Sequence, residues 1–151
     1  MSDDGTLTWR ALLEQTASVL ERNQARWLCE EASGCYGQEF LDELDHPATT
    51  RCVSQLDAMV ARVRTGVPIQ YVLGHWSFRH LDLMVDPRVL IPRPETELIV
   101  DLVLVRMRGM SRRPCVVDLG TGSGAIGLSV AMETARDACD VILTDKSEDA
   151  L

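Results

Sequence analysis

Val116-Val117-Asp118-Leu119-Gly120-Thr121-Gly122-Ser123-Gly124-Ala125-Ile126-Gly127 is the stretch that decides how this 151-residue chain is read. A short apolar run ends in an acid and then breaks into glycines. The glycines give way to Ala125, Ile126, Leu128, Val130 and Ala131, which suit a helix. Strand, glycine loop and helix in that order open a nucleotide-binding α/β unit. Gly120, Gly122 and Gly124 carry no Cβ, so backbone amides can come close to a ligand. The helix that follows turns its unpaired N–H groups toward the same place.

A second apolar run, Val141-Ile142-Leu143-Thr144, ends at Asp145. It lies about twenty residues past the loop, where an acid that binds ribose hydroxyls belongs. An ordinary glycine-rich turn would not need strand, glycines, helix, strand and acid in succession. The spacing admits two ligands. Gly122, Gly124 and Gly127 match the dinucleotide pattern G-x-G-x-x-G, and Gly120, Gly122 and Gly124 match the tighter G-x-G-x-G of S-adenosylmethionine (SAM) methyltransferases.

Composition narrows the field. An apolar fraction of 46% with 25% charged residues is that of a globular protein. No apolar run approaches the ~20 residues of a membrane span. The acidic start, Met1-Ser2-Asp3-Asp4, reads as neither signal nor transit peptide, and the expectation is a cytoplasmic protein. Five cysteines, Cys29, Cys35, Cys52, Cys115 and Cys139, include no C-x-x-C, so most are expected to be small buried hydrophobes and none to hold a metal. Residues 1–50 hold three basic residues against ten acids. Such a surface repels phosphates, which argues against direct nucleic-acid binding and leaves a basic protein partner or plain solubility.

Read in order, the chain begins with helices. Trp9, Leu12, Leu13, Thr16, Ala17 and Leu20 predict a helix over 8–22. Ala25, Leu28, Cys29 and Ala32 predict a second over 24–32, stopped by Ser33-Gly34. Phe40, Leu41 and Leu44 suggest a short third, and Pro47 suits the first turn of a fourth that ends at Thr65-Gly66. Residues 1–66 thus form a small helical bundle. Residues 67–95 are punctuated by Pro68, Gly74, Pro87, Pro92 and Pro94. Alternation at Trp76 and Phe78, then Leu81, Leu83 and Val85, predicts a β-hairpin linker. A helix from Pro94 to about Met107 follows, with Leu98, Ile99, Leu102, Val103 and Met107 as its expected core face. The fold class is α/β: bundle, hairpin, then over 96–151 the first half-unit of a Rossmann-like domain.

Two further blocks carry a resemblance. Gly66-Val67-Pro68-Ile69-Gln70-Tyr71-Val72-Leu73-Gly74 with Phe78, and Leu90-Ile91-Pro92-Arg93-Pro94-Glu95-Thr96-Glu97-Leu98-Ile99-Val100, stand ahead of the glycine loop at a characteristic spacing. Together with Asp118 to Ile126 they resemble the HemK/PrmC family, the methyltransferases that modify a glutamine of peptide chain release factors. The resemblance runs from about residue 9 to the end, in layout more than in residues over the helical part.

The resemblance implies a helical domain that helps hold the release factor, a hairpin, and a seven-stranded SAM-dependent domain. It implies methyl transfer to the side-chain amide of the glutamine in a Gly-Gly-Gln motif. Carried over by position, Gly120, Thr121, Gly122, Ser123 and Gly124 would line the methionine end of SAM, and Asp145 would take the ribose hydroxyls. Asp118 would organise the loop. Arg93, Glu95, Thr96 and Glu97 would sit near the cofactor. By their chemistry alone the same four residues also suit the start of a helix, with Pro94 in the first turn and the acids at the positive end of the dipole.

The family grips the amide with an Asn-Pro-Pro-Tyr motif. That motif is absent from these residues, and Asn23 is the only asparagine. No catalytic residue is therefore assigned, and the 151 residues alone are expected to be inactive. Two other readings stand beside this one. An NAD-binding dehydrogenase would rest on Gly122, Gly124 and Gly127, and a non-catalytic fragment could keep affinity for release factor.

Overall fold

The computed structural model describes residues 7–135 and 138–151. The chain divides into two compact units, Met1–Leu73 and Gly74–Leu151.

The first unit is helical: α1 (Trp9–Ala17), α2 (Arg22–Ser33), α3 (Gln38–Glu43), α4 (Thr50–Arg64) and α5 (Ile69–Leu73). Its core gathers Trp9, Leu12, Leu28, Cys29, Phe40, Leu56 and Met59, with the Trp9 and Phe40 rings edge-to-face at 6.0 Å. Leu28, Phe40 and Leu56 are no more than 1% exposed. Cutting a large side chain out of such a core costs about 2–5 kcal/mol.

Several expected boundaries move. The helix expected over 8–22 ends at Ala17, because Ser18 turns its hydroxyl back onto the Gln15 carbonyl at 2.7 Å. Leu20 still packs on the core after the helix has ended, which is why the apolar period ran on. Pro47 is not in the first turn of α4. It pairs with Thr8 in an isolated antiparallel bridge flanked by Ala48 N–H donating to the Leu7 carbonyl at 2.9 Å. The cap of α4 is Thr49, whose hydroxyl accepts the Cys52 N–H. The short helix α5 falls where the sequence predicts the start of the hairpin linker. Pro68 there starts a helix rather than barring one, its carbonyl accepting from Tyr71 and Val72. Of the cysteines only Cys29 is buried; Cys35, Cys52 and Cys139 are half-buried, Cys115 is exposed, and all five are free thiols.

The second unit opens with the expected hairpin, β1 (His75–Phe78) and β2 (Leu81–Met84), in register Trp76 with Leu83 and Phe78 with Leu81. Phe78, Leu83 and Val85 are buried while Ser77, Asp82 and Met84 are exposed. A 3-10 turn, Pro94–Thr96, leads into α6 (Glu97–Arg108). Then come β3 (Cys115–Leu119), α7 (Ala125–Glu133) and β4 (Asp140–Thr144), and a final 3-10 turn, Glu148–Ala150. β3 and β4 pair in parallel, Asp118 opposite Leu143 and Leu119 opposite Thr144. This is the strand–loop–helix–strand unit expected from the glycine motif.

The core face expected on α6 is corrected. Leu98, Ile99 and Leu102 are 62%, 46% and 61% exposed, whereas Val100 is fully buried and Val103, Leu104 and Met107 are half-buried. The helix is apolar almost all round, so its period could not choose a face. Among the described residues, the β3–β4 pair is covered on one side only. α7 lies against Asp118 and Leu143, where a Cβ on Gly127 would come within 2.9 Å of Leu143. Val117, Leu119 and Ile142 on the other face are 49%, 79% and 49% exposed. Among the described residues no helix is long and apolar enough to cross a membrane.

Candidate functional site

The site is built at the carboxyl ends of β3 and β4, where α/β units bind their ligands. Two carboxylates frame it. Asp118, in β3, uses Oδ2 to accept the Thr121 hydroxyl at 2.8 Å and the Gly127 N–H at 2.9 Å. One oxygen thereby ties the loop and the first turn of α7 to the end of the strand. Asp145, just past β4, accepts the Gly122 N–H on Oδ2 and the Ser147 N–H on Oδ1, each at 2.9 Å. The Ser147 and Gly122 amides hold this carboxyl below the usual aspartate range, so it is ionised at neutral pH.

The loop is closed onto β4. Gly120 and Thr121 both donate their N–H to the Thr144 carbonyl, at 2.8 and 2.9 Å, and the Thr144 hydroxyl donates to the Asp118 carbonyl. Gly122 and Gly124 adopt φ of +54° and +81°, which L side chains rarely take. Gly124 caps α7, and a Cβ there would strike Leu128 at 2.6 Å. A Cβ at Gly122 would meet nothing within 4 Å. The space over this part of the loop is open.

Beside it lies a cleft of about 400 Å³ lined by Leu83, Met84, Gly122, Ser123 and Leu128 among others. At its rim Asp86 is clamped by Arg88 through the guanidinium and the Arg88 N–H, which pull its pKa down to about 2. A loop with positive-φ glycines, an open face, a helix N-terminus and a neighbouring ionised carboxylate fits a ligand that carries both a small polar tail and vicinal hydroxyls.

The fold brings together Asp118, the Gly120–Gly124 loop and Asp145. Arg93, Glu95, Thr96 and Glu97 lie in the turn that starts α6, where the Thr96 N–H donates to the Arg93 carbonyl. Among the described residues none of these four is hydrogen-bonded to the glycine loop or to Asp145. Glu97 instead accepts the Arg79 N–H at 3.2 Å. Two contributors escaped the sequence reading. Thr144 is a strand-end threonine with nothing in its local sequence to mark it. Ser147 acts through its backbone alone. Among the described residues no group of three His, Cys, Asp or Glu could hold a metal.

Comparison with known proteins agrees in both units. Residues 7–74 match the family model described as the PrmC N-terminal domain, and residues 98–151 match one described as lysine methyltransferase. The release factor glutamine methyltransferase of Escherichia coli (strain K12) is 39% identical over 144 residues, 93% of this chain and 50% of the relative. The chain belongs to the HemK/PrmC family. Its relatives of the same name in Bifidobacterium longum and Streptomyces coelicolor are 52% identical over 126 residues and 45% over 94. These stretches cover 80% and 62% of this chain, and 42% and 33% of the relatives. The chain spans about half the length of the curated relatives it matches, or less.

Proposed function

We propose that this HemK/PrmC chain is the cofactor-binding and partner-holding part of a SAM-dependent methyltransferase. Its substrate is the glutamine side-chain amide in the Gly-Gly-Gln motif of peptide chain release factors. The observation that carries the reading is the Asp118–loop–Asp145 frame. Its open glycine face suits the methionine end of a nucleoside sulfonium, and its ionised acid suits ribose. When bound, SAM supplies an electrophilic methyl group. The chain's own residues bind and orient. Gly120, Thr121, Gly122, Ser123 and Gly124 line the methionine end, Asp145 accepts from the ribose hydroxyls, and Asp118 holds the loop in shape. Arg93, Glu95 and Thr96 are assigned to the neighbourhood of the cofactor on the family resemblance alone.

The first helical unit is the release-factor-holding part. The names of the relatives support this, because their likeness runs through both units. The lysine methyltransferase model matches only residues 98–151. That is the part shared by enzymes with one cofactor and different acceptors, so it bears on SAM and not on the acceptor. The dehydrogenase reading explains the glycines but not residues 7–74.

Calorimetry with SAM and NAD in parallel tests the cofactor, and a pull-down of release factor by the 151-residue chain tests the partner. SAM binding without NAD binding, and retention of release factor, are expected. Binding of NAD alone would overturn the reading.

A further inference from the structure

Arg79 occupies the turn between β1 and β2 with φ of +53°, the one positive φ at a non-glycine among the described residues. Hairpin turns that need this conformation favour Gly, Asn or Asp. The arginine is held there by its contacts. Its Nε and Nη2 form a fork on Glu133 of α7 at 2.5 and 2.7 Å. Its Nη1 reaches Asp101 at 2.9 Å and the Glu97 carbonyl at 3.1 Å, both on α6. Its backbone N–H donates to Glu97 Oε1. The guanidinium side chain is 13% exposed and Glu133 16%. A shielded bidentate pair with further acceptors is the strong and directional kind of ion pair.

The hairpin so held has a second place in the structure. Leu83 and Met84 of β2 line the 400 Å³ cleft together with Gly122, Ser123 and Leu128. The hairpin is thus one wall of the cleft beside the glycine loop, and α7, which begins at that loop, carries the Glu133 to which the hairpin turn is tied. We propose that Arg79 is a positioning residue that fixes this wall against α6 and α7, and that Glu97 serves the clamp rather than touching the ligand. The identity of the ligand as SAM rests on the reading above; the clamp does not.

The test compares the 151-residue chain with Arg79→Gly, Arg79→Lys and Glu97→Gln by hydrogen exchange and by calorimetry with SAM. Arg79→Gly removes the guanidinium and relieves the positive φ. Arg79→Lys keeps the charge and loses the fork. With Arg79→Gly, amides of residues 75–84 are expected to exchange about tenfold faster or more, and SAM to bind about fivefold more weakly, while residues 116–119 and 141–144 keep their protection. Arg79→Lys is expected to fall between it and the wild type. Glu97→Gln keeps an oxygen for the Arg79 N–H and leaves the Glu97 carbonyl in place, so the hairpin and SAM binding should both stay close to wild type. Unchanged exchange at 75–84 in both Arg79 variants would overturn the clamp, and so would loss of protection in β3 and β4, which would make Arg79 a general support of the fold. Weaker SAM binding by Glu97→Gln with an intact hairpin would place Glu97 on the ligand instead. If the wild-type chain binds no SAM, the cofactor reading fails and the exchange data still decide the clamp.

Discussion

The amide of Gly127 donates to Asp118 Oδ2 at 2.9 Å, so the first turn of α7 is fastened to the end of β3 by a side chain nine residues earlier. The same oxygen takes the Thr121 hydroxyl. Loop shape and helix placement therefore depend on one carboxylate.

Asp118→Ala should leave the Thr121 hydroxyl and the Gly127 N–H without their acceptor. Stranding part-buried donors costs about 1–3 kcal/mol. Urea unfolding should show the second unit destabilised by that amount while the helical unit is unmoved. A chain whose second unit unfolds at the wild-type midpoint would refute the role given to Asp118.

Asp145→Ala should act on the ligand. If Asp145 accepts from ribose, the variant loses charge-assisted hydrogen bonds, and SAM affinity should fall about ten- to a hundredfold. Calorimetry reads this directly. Equal affinity in the two proteins would remove Asp145 from the ribose site.

Acid should weaken the second unit. Glu133 beside Arg79, Asp145 under its backbone donors and Asp86 beside Arg88 all have carboxyls held below their ordinary values. A depressed folded pKa gives stability that is complete above the unfolded value and is lost as pH falls through the folded one. For Asp86 that window runs from 3.8 down to about 2. The urea midpoint of the second unit should hold steady toward neutrality and drop as pH falls below about 4.5. Asp86→Asn should flatten the lower part of the drop. A midpoint that rises on acidification would contradict the assignment.

The uncovered sheet face should make the chain associate. Among the described residues, Val117, Leu119 and Ile142 form an exposed apolar patch on the parallel β3–β4 pair. Leu119→Lys adds a charge where the side chain is already 79% exposed, so it should leave the melting temperature unchanged and reduce self-association. Sedimentation of the two proteins at equal concentration measures this. A wild-type chain that stays monomeric at high concentration would refute it.

The glycine loop, the strands around it, the hairpin and most of the helical core could be read from the sequence, because each is written in local terms. Alternation marks Phe78, Leu83 and Val85, a 3.6-residue period marks Leu12, Leu28 and Leu56, and glycine spacing marks the loop. Tertiary structure alone decided what local pattern leaves degenerate. α6 is apolar on nearly every side, and only packing selected Val100 over Leu98 and Leu102. The break at Ser18 is hidden because Leu20 stays on the core after the helix has ended. Asp118 and Asp145 were legible as strand-end acids. That one would accept Gly127 and the other Gly122 depends on strand register and on the rotation of α7. Arg79 and Glu133 lie 54 residues apart, and no periodicity links them. A hydrogen bond needs a particular distance and angle in space, and over that separation only the packing of three elements supplies both.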